Sequence, residues 1–468
     1  MKKHIEARVN PWLILAIGAS MALGIFTYAA SLPLKSRITG DAIVYLGIAD
    51  SFTSIGDAFS YTGNRTYGLP LFLYVVRSVA GISSLDQWLA RVSYALFILH
   101  LAASASFYRF FLRDLFVKSG LPTFTAAAAA AIIMAFPALV THTTTPLTDT
   151  FCVDLLMLAA ALHYSGRISD SLLGLAQSAL CGLILGYAVM VRPSFWPAVL
   201  VFFGASFLEA LLANGRRRLL LMITLCMAAG TLAVIIPALA RGFTVYKTPS
   251  LQNPGFVKAC SGASMQSGLS SVRVFWSDSN ISKDPLPGVK DPFLLAMYGD
   301  DKEVHSIGSL LKCLCKKPFA IPIYLGKKTI GLFDEPYLQP YSVDLTPDWF
   351  TALQRAFELP AFCGFLALII LAFSMQFQKN APESISLPWV ALLATLMCTH
   401  LVMHIEGRYG FPAVPFSIAA LFLGFAGARK AGRQALFAWV IALTMAASLF
   451  LYQVHAWDLV VPVHFINT

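Results

Sequence analysis

Between Arg216-Arg217-Arg218 and Arg241 the chain reads LLLMITLCMAAGTLAVIIPALA, residues 219–240, without one charged side chain. A helix of that length rises about 33 Å, enough to cross the hydrocarbon core of a bilayer. The flanking arginines hold the run in place, because their charges stay in the aqueous layers. Ten further runs pass the same count, at approximately 12–32, 88–108, 122–141, 147–164, 172–191, 195–213, 358–377, 386–405, 410–428 and 434–452. They predict an all-α polytopic membrane protein with about eleven transmembrane helices.

Composition agrees. The 468 residues are 57% hydrophobic and 12% charged, against about 45–50% and about 25% in soluble domains. Mean hydropathy is +0.69. This excludes a water-soluble enzyme, a disordered chain and a disulfide-dense secreted scaffold. The net charge of +10 would suit a nucleic-acid partner if it lined one face. Here the basic residues cluster at the ends of apolar runs, so no nucleic acid is expected.

The first run follows Lys2, Lys3 and Arg8, and its apolar core exceeds the about 7–15 residues of a cleaved signal peptide, so it reads as a retained anchor. With the N-terminus in the cytoplasm, eleven spans place fourteen Lys/Arg in cytoplasmic loops and seven in short external segments. The other thirteen fall in residues 241–355, a stretch too long for the positive-inside rule. Three parts are expected: an N-terminal transmembrane module, 1–240, with a first external loop at 33–87; a large external loop domain, 241–357; and a C-terminal transmembrane module, 358–468. Within 305–332, apolar and aromatic residues alternate with lysines, which predicts short amphipathic helices on the membrane surface. Pro318 and Pro322 forbid one continuous helix there. A disulfide from Cys260 to Cys313 or Cys315 is expected if these thiols meet outside the cytoplasm.

Chemistry-bearing residues gather in the external segments. Gly40-Asp41 with Tyr45 places a carboxylate just past the first helix, where partial desolvation suits a general base; a solvated turn aspartate is the plainer reading. Arg65, with Tyr67-Gly68-Leu69-Pro70, offers a donor fork for phosphate or carboxylate, or simply snorkels to headgroups. His142 lies in a short turn that ends at Asp149, in the first turn of the fourth helix, where the helix dipole alone would favour a negative charge. Asp154 is inside the same run, about 140° further around the helix, and so is not expected to share a site with Asp149. The turn Glu406-Gly407-Arg408-Tyr409 either makes an interfacial ion pair or holds a lipid phosphate with Arg408. Arg91 and Arg192, near outer helix ends, extend a cationic rim or snorkel. His142, Asp149, Asp41 and Glu406 are of the types that assemble hard-cation sites, so a divalent cation stays open, although no metal or other cofactor is predicted.

Taken in order, Gly40-Asp41, Tyr45, Arg65 with Tyr67, Arg91, Asp149 and Glu406-Gly407-Arg408-Tyr409 resemble the GT-C superfamily of integral-membrane glycosyltransferases, the group containing protein O-mannosyltransferases and the lipid A aminoarabinose transferase. The resemblance covers the arrangement of nearly the whole chain. It implies transfer of a sugar from a polyprenyl-phosphate donor to a glycan, lipid or protein acceptor on the periplasmic side of a bacterial inner membrane. It also implies an inverting, metal-independent displacement. By that likeness Asp41 is the base, Asp149 supports it or binds the acceptor, and Arg408, Arg65 and Arg91 hold the lipid phosphate. Tyr45, Tyr67, Glu406, Tyr409 and His142 support them. Many relatives carry two adjacent acidic residues in the first loop, whereas Ala42 follows Asp41 here. Residues 241–357 match nothing in the resemblance. The rival class is a multispanning transporter or lipid-linked sugar flippase, whose usual internal repeats and broken midplane helices are not evident in the sequence.

Overall fold

The structure, a computed structural model, describes residues 9–33, 40–82, 84–169, 171–213, 216–258, 271–274, 288–298, 307–335, 346–377, 386–401 and 407–458. In chain order the helices are α1 (Pro11–Ala30), α2 (Asp41–Asp50), α3 (Ile55–Ser60), α4 (Gly68–Ala80), α5 (Leu85–Lys118), α6 (Thr123–Met134), α7 (Pro137–His142), α8 (Thr148–Ile168), α9 (Leu172–Val191), α10 (Trp196–Leu212) and α11 (Arg217–Tyr246). After a short antiparallel pair, β1 (Ser271–Val274) and β2 (Gly288–Lys290), come α12 (Pro292–Tyr298), α13 (Ile307–Lys316), α14 (Ile321–Leu332), α15 (Asp348–Phe377), α16 (Leu387–Leu401), α17 (Val414–Ala431) and α18 (Arg433–Asp458). The chain is an all-α polytopic membrane protein.

Among the described residues nine helices are long and apolar enough to span a bilayer, and the two other expected runs are shorter. Run 122–141 is split by Pro137, which lacks an N–H and drives Phe136 to an extended ψ of 113°; the chain then resumes as α7. Run 386–405 is helical only over α16, and residues 402–406 lie outside the described set. The amphipathic stretch likewise divides at Pro318 into α13 and α14. Pro322 does not break α14, because it sits in the first turn, where its missing N–H has no partner to lose. Cys260, required for the expected disulfide, lies outside the described residues.

Interhelical packing is closest where side chains are smallest. A Cβ on Gly182 would stand 1.9 Å from Met227 O, and one on Gly186 would stand 2.8 Å from Thr231 O, so α9 and α11 meet backbone to backbone. Small residues four apart allow such an approach in lipid, where helices gain nothing from hiding apolar surface. The Thr231 hydroxyl donates to Gly182 O at 2.8 Å across the seam. Leu172, Leu225, Met445 and Tyr452 are exposed on the outer faces, as lipid-facing side chains are.

The loops segregate to two ends of the bundle. At one end Arg167 pairs with Glu209 and accepts at its carbonyl from Arg216, while Gly120 lies beside Lys430. At the other, α2–α4, the α9–α10 junction, residues 252–253 and the turn at 407–413 come together.

Candidate functional site

The polar residues at this second end are gathered from five separate segments. Asp41 opens α2, whose N-cap Gly40 has φ 52°, a left-handed value that a side chain would resist. One turn on, Tyr45 is buried. Arg65, in the loop before α4, forms an ion pair with Asp41, and both side chains keep partial exposure. The Arg65 guanidinium also lies 5.3 Å from the ring of Phe256 and 5.9 Å from that of Tyr45.

Behind this pair is a drier one. Asp149, in the first turn of α8, is almost wholly buried and accepts from two arginines. Arg192, at the junction of α9 and α10, pairs with one oxygen, and Arg408 reaches the other at 3.3 Å. Arg192 lies 4.9 Å above the ring of Tyr409, which stacks at 4.5 Å on His400 at the end of α16. The Arg408 backbone N–H donates to Glu335 at 3.2 Å, and the Glu335 N–H donates to Glu358 at 2.6 Å. Gly410 makes this docking possible, since a Cβ there would stand 1.9 Å from Leu332 O.

Tyr45 joins the two pairs. Burial, and then the charge of Asp41, push its hydroxyl up to about 12, with Asp149 adding to the rise and Arg65 and Arg192 opposing it. All four charges are therefore within electrostatic reach of one phenol. Three guanidiniums face Asp41 and Asp149, planar donor forks of the kind that suit an anion such as phosphate.

Of the residues expected from sequence, Asp41, Tyr45, Arg65, Asp149, Arg408 and Tyr409 meet here. His142 is buried at the end of α7 with its ring edge-to-face against Phe411, next to the turn bearing Arg408. Tyr67 packs away from the cluster, its hydroxyl 3.5 Å from Val234 O and its ring against Phe59. Arg91 is exposed on α5 and makes no ion pair among the described residues. Glu406 lies outside the described residues. Asp154 stands apart from Asp149, as the helical angle demanded, and pairs at 2.8 Å with His100 in the bundle interior.

Sequence reasoning placed Arg192 only on a rim and missed Glu335 and His400 altogether. The Arg192 signal was legible as the sole charge between two apolar runs. Glu335 had none, because its relation to Arg408 spans 73 residues. Among the described residues no cluster of three or more His, Cys, Asp or Glu is arranged to hold a metal ion.

No family model matches the chain, and no curated protein matches it in sequence. Solved structures do match it in shape. The oligosaccharyltransferase of Archaeoglobus fulgidus in its apo form superposes at 13% identity with a TM-score of 0.51, covering 96% of this chain and 56% of that one. The same enzyme tethered to an acceptor peptide containing an NVT sequon matches at 12% identity and TM-score 0.49, over 96% and 54%. The archaeal oligosaccharyltransferase AglB from that organism, in complex with an inhibitory peptide and a dolichol-phosphate, matches at 13% and 0.48, over 96% and 55%. The chain spans about half the length of these proteins. At such identity what is shared is the fold, that of the archaeal oligosaccharyltransferase.

Proposed function

We propose that this chain is a membrane glycosyltransferase that moves a sugar from a polyprenyl-phosphate donor to an acceptor hydroxyl or amide at the Asp41 end of the bundle. The observation that carries the reading is the convergence of Arg65, Arg192 and Arg408 with Asp41 and Asp149 around Tyr45. The shared fold supports it. In the reaction the acceptor atom bonds to the anomeric carbon as the carbon–oxygen bond to the lipid phosphate breaks, inverting the centre. Asp41, the more exposed carboxylate, takes the acceptor proton. The lipid phosphate leaves with the bonding electron pair, and guanidiniums stabilise that charge. Asp149 acts as a positioning residue, holding Arg192 and Arg408 at a fixed separation.

A bacterial inner membrane, with this end periplasmic, is the location proposed, and it rests on the Lys/Arg bias between loops. Residues 241–357 are proposed as a separate part that selects the acceptor.

The test compares membranes containing wild type and Asp41→Asn, matched for expression, with radiolabelled polyprenyl-phosphate sugars and envelope extract as acceptor. Loss of transfer by about 10²-fold or more, with donor binding retained, is the expected result. Equal transfer by the variant removes Asp41 from the mechanism. No transfer by wild type from any donor shifts the reading to a transporter or flippase.

A further inference from the structure

A second cationic site lies at the opposite end of the bundle. Ser165 is sixteen residues beyond Asp149 on α8, about 24 Å along the helix. There α5 widens into a π-helical turn at Tyr108–Leu112, an irregularity that often marks function. Beside it is a cleft of about 660 Å³ lined by Arg109, Arg113, Thr123, Ser165 and Ser169, within the size range of ligand clefts.

Arg109 and Arg113 are exposed, four residues apart, and neither makes an ion pair among the described residues. Two like charges at that spacing repel, so a shared anion would relieve them. The one carboxylate lining the cleft, Asp114, is already engaged by Lys118 at 3.3 Å and by the Tyr164 hydroxyl at 3.0 Å. The opening of α6 adds to the positive field. Its N-cap is Pro122, which provides no side-chain acceptor for the first-turn N–H groups. The rest of the lining is apolar and outward-facing: Phe110, Val117 and Ile168 are all exposed large side chains.

We propose that this cleft binds the phosphate of an anionic phospholipid headgroup. Arg109 and Arg113 hold the phosphate, the Thr123 hydroxyl donates to it, and the acyl chains run down the Phe110, Val117 and Ile168 wall. The shared chemistry is a phosphate anion, and the apolar wall selects the lipid over a free phosphate. The site is independent of the proposed transferase reaction.

The test uses the purified full chain in detergent. Native mass spectrometry counts bound phosphatidylglycerol and phosphatidylcholine on wild type, on the Arg109→Gln/Arg113→Gln double variant, and on Arg218→Gln, which removes a basic charge outside the cleft. Wild type and Arg218→Gln should retain one phosphatidylglycerol at least about tenfold more tightly than the double variant, a difference expected for loss of charge-assisted phosphate contacts. Phosphatidylcholine, whose own choline cation offsets its phosphate, should show a smaller difference among the three. Equal phosphatidylglycerol retention by the double variant overturns the proposal. So does arginine-dependent stabilisation by inorganic phosphate with no preference for the lipid, which would make this a soluble-anion site. If the double variant fails to fold, Arg113→Lys serves instead, since it keeps the charge and loses the fork. Retention several-fold weaker supports the site, and unchanged retention rejects it.

Discussion

Replacing Asp149 with Asn keeps the shape of the side chain and removes the charge that Arg192 and Arg408 share. The Asp149 side chain is 3% exposed, Arg192 12% and Arg408 7%, so water screens little of the interaction. Breaking a buried pair by neutralising one partner costs about 3–5 kcal/mol, because the other charge is left uncompensated. An amide still accepts one hydrogen bond but turns two donors toward the second guanidinium, which puts the expected loss near about 3 kcal/mol. That is about two orders of magnitude in the folding equilibrium.

Reversible unfolding in mixed micelles, followed by far-ultraviolet circular dichroism, reads this directly. The double variant Asp149→Asn/Arg192→Gln restores the charge balance and should recover at least about 1 kcal/mol of the loss, the coupling of side chains in contact. Added polyprenyl phosphate should stabilise Asp149→Asn more than wild type, since the anion takes the place of the lost carboxylate. A single variant within about 0.5 kcal/mol of wild type would refute the argument, as would a double variant whose loss is the plain sum of the two singles.

Three other expectations follow from the same geometry. Gly410→Ala would set a Cβ 1.9 Å from Leu332 O, so the turn bearing Arg408 must retreat by about 1 Å; transfer should fall by about 10²-fold with expression little changed, and wild-type turnover would show that the turn is not a fixed part of the site. In the bundle interior the His100 Nε2–H donates to Met134 O at 3.2 Å while Nδ1 faces Asp154 at 2.8 Å. Asp154→Leu, which leaves the buried Nδ1 without a partner, should therefore cost about 1–3 kcal/mol, whereas replacing both partners with Leu should cost less; equal losses in the two thermal melts would contradict a paired role. Tyr45, raised to about 12 against an ordinary 10, stays protonated in the native state while its unfolded counterpart ionises. Its contribution to stability is thus complete below about pH 10 and declines as pH rises toward about 12. The alkaline arm of the stability profile should flatten in Tyr45→Phe, and an unchanged arm would show that Tyr45 is not buried among these charges.

Much of the architecture was legible without coordinates, because a bilayer imposes a length and an apolarity that each helix must meet by itself. The run from Leu219 to Ala240 declares its state locally, as does the helical angle that separates Asp154 from Asp149. Local chemistry also exposed two of the departures in retrospect: Pro137 divides its run because the missing N–H acts on the residues beside it, and Pro322 is harmless because it falls in a first turn.

The site was legible only in part, and the division has a physical cause. Asp41, Arg65, Asp149 and Arg408 declared themselves as charges beside apolar runs, where desolvation makes each one costly. Which carboxylate meets which arginine was not written in the chain, since ion pairing depends on distance through space and not along the backbone. Asp149 and Arg408 are 259 residues apart in sequence and 3.3 Å apart in the fold. Glu335, set beneath the Arg408 turn, and Arg192, brought from rim to centre, became part of the site only when the helices packed. The sequence by itself determined that the chain lives in lipid and where its charges lie; packing alone, through close approaches such as those at Gly182 and Gly410, decided which of those charges meet in one cluster.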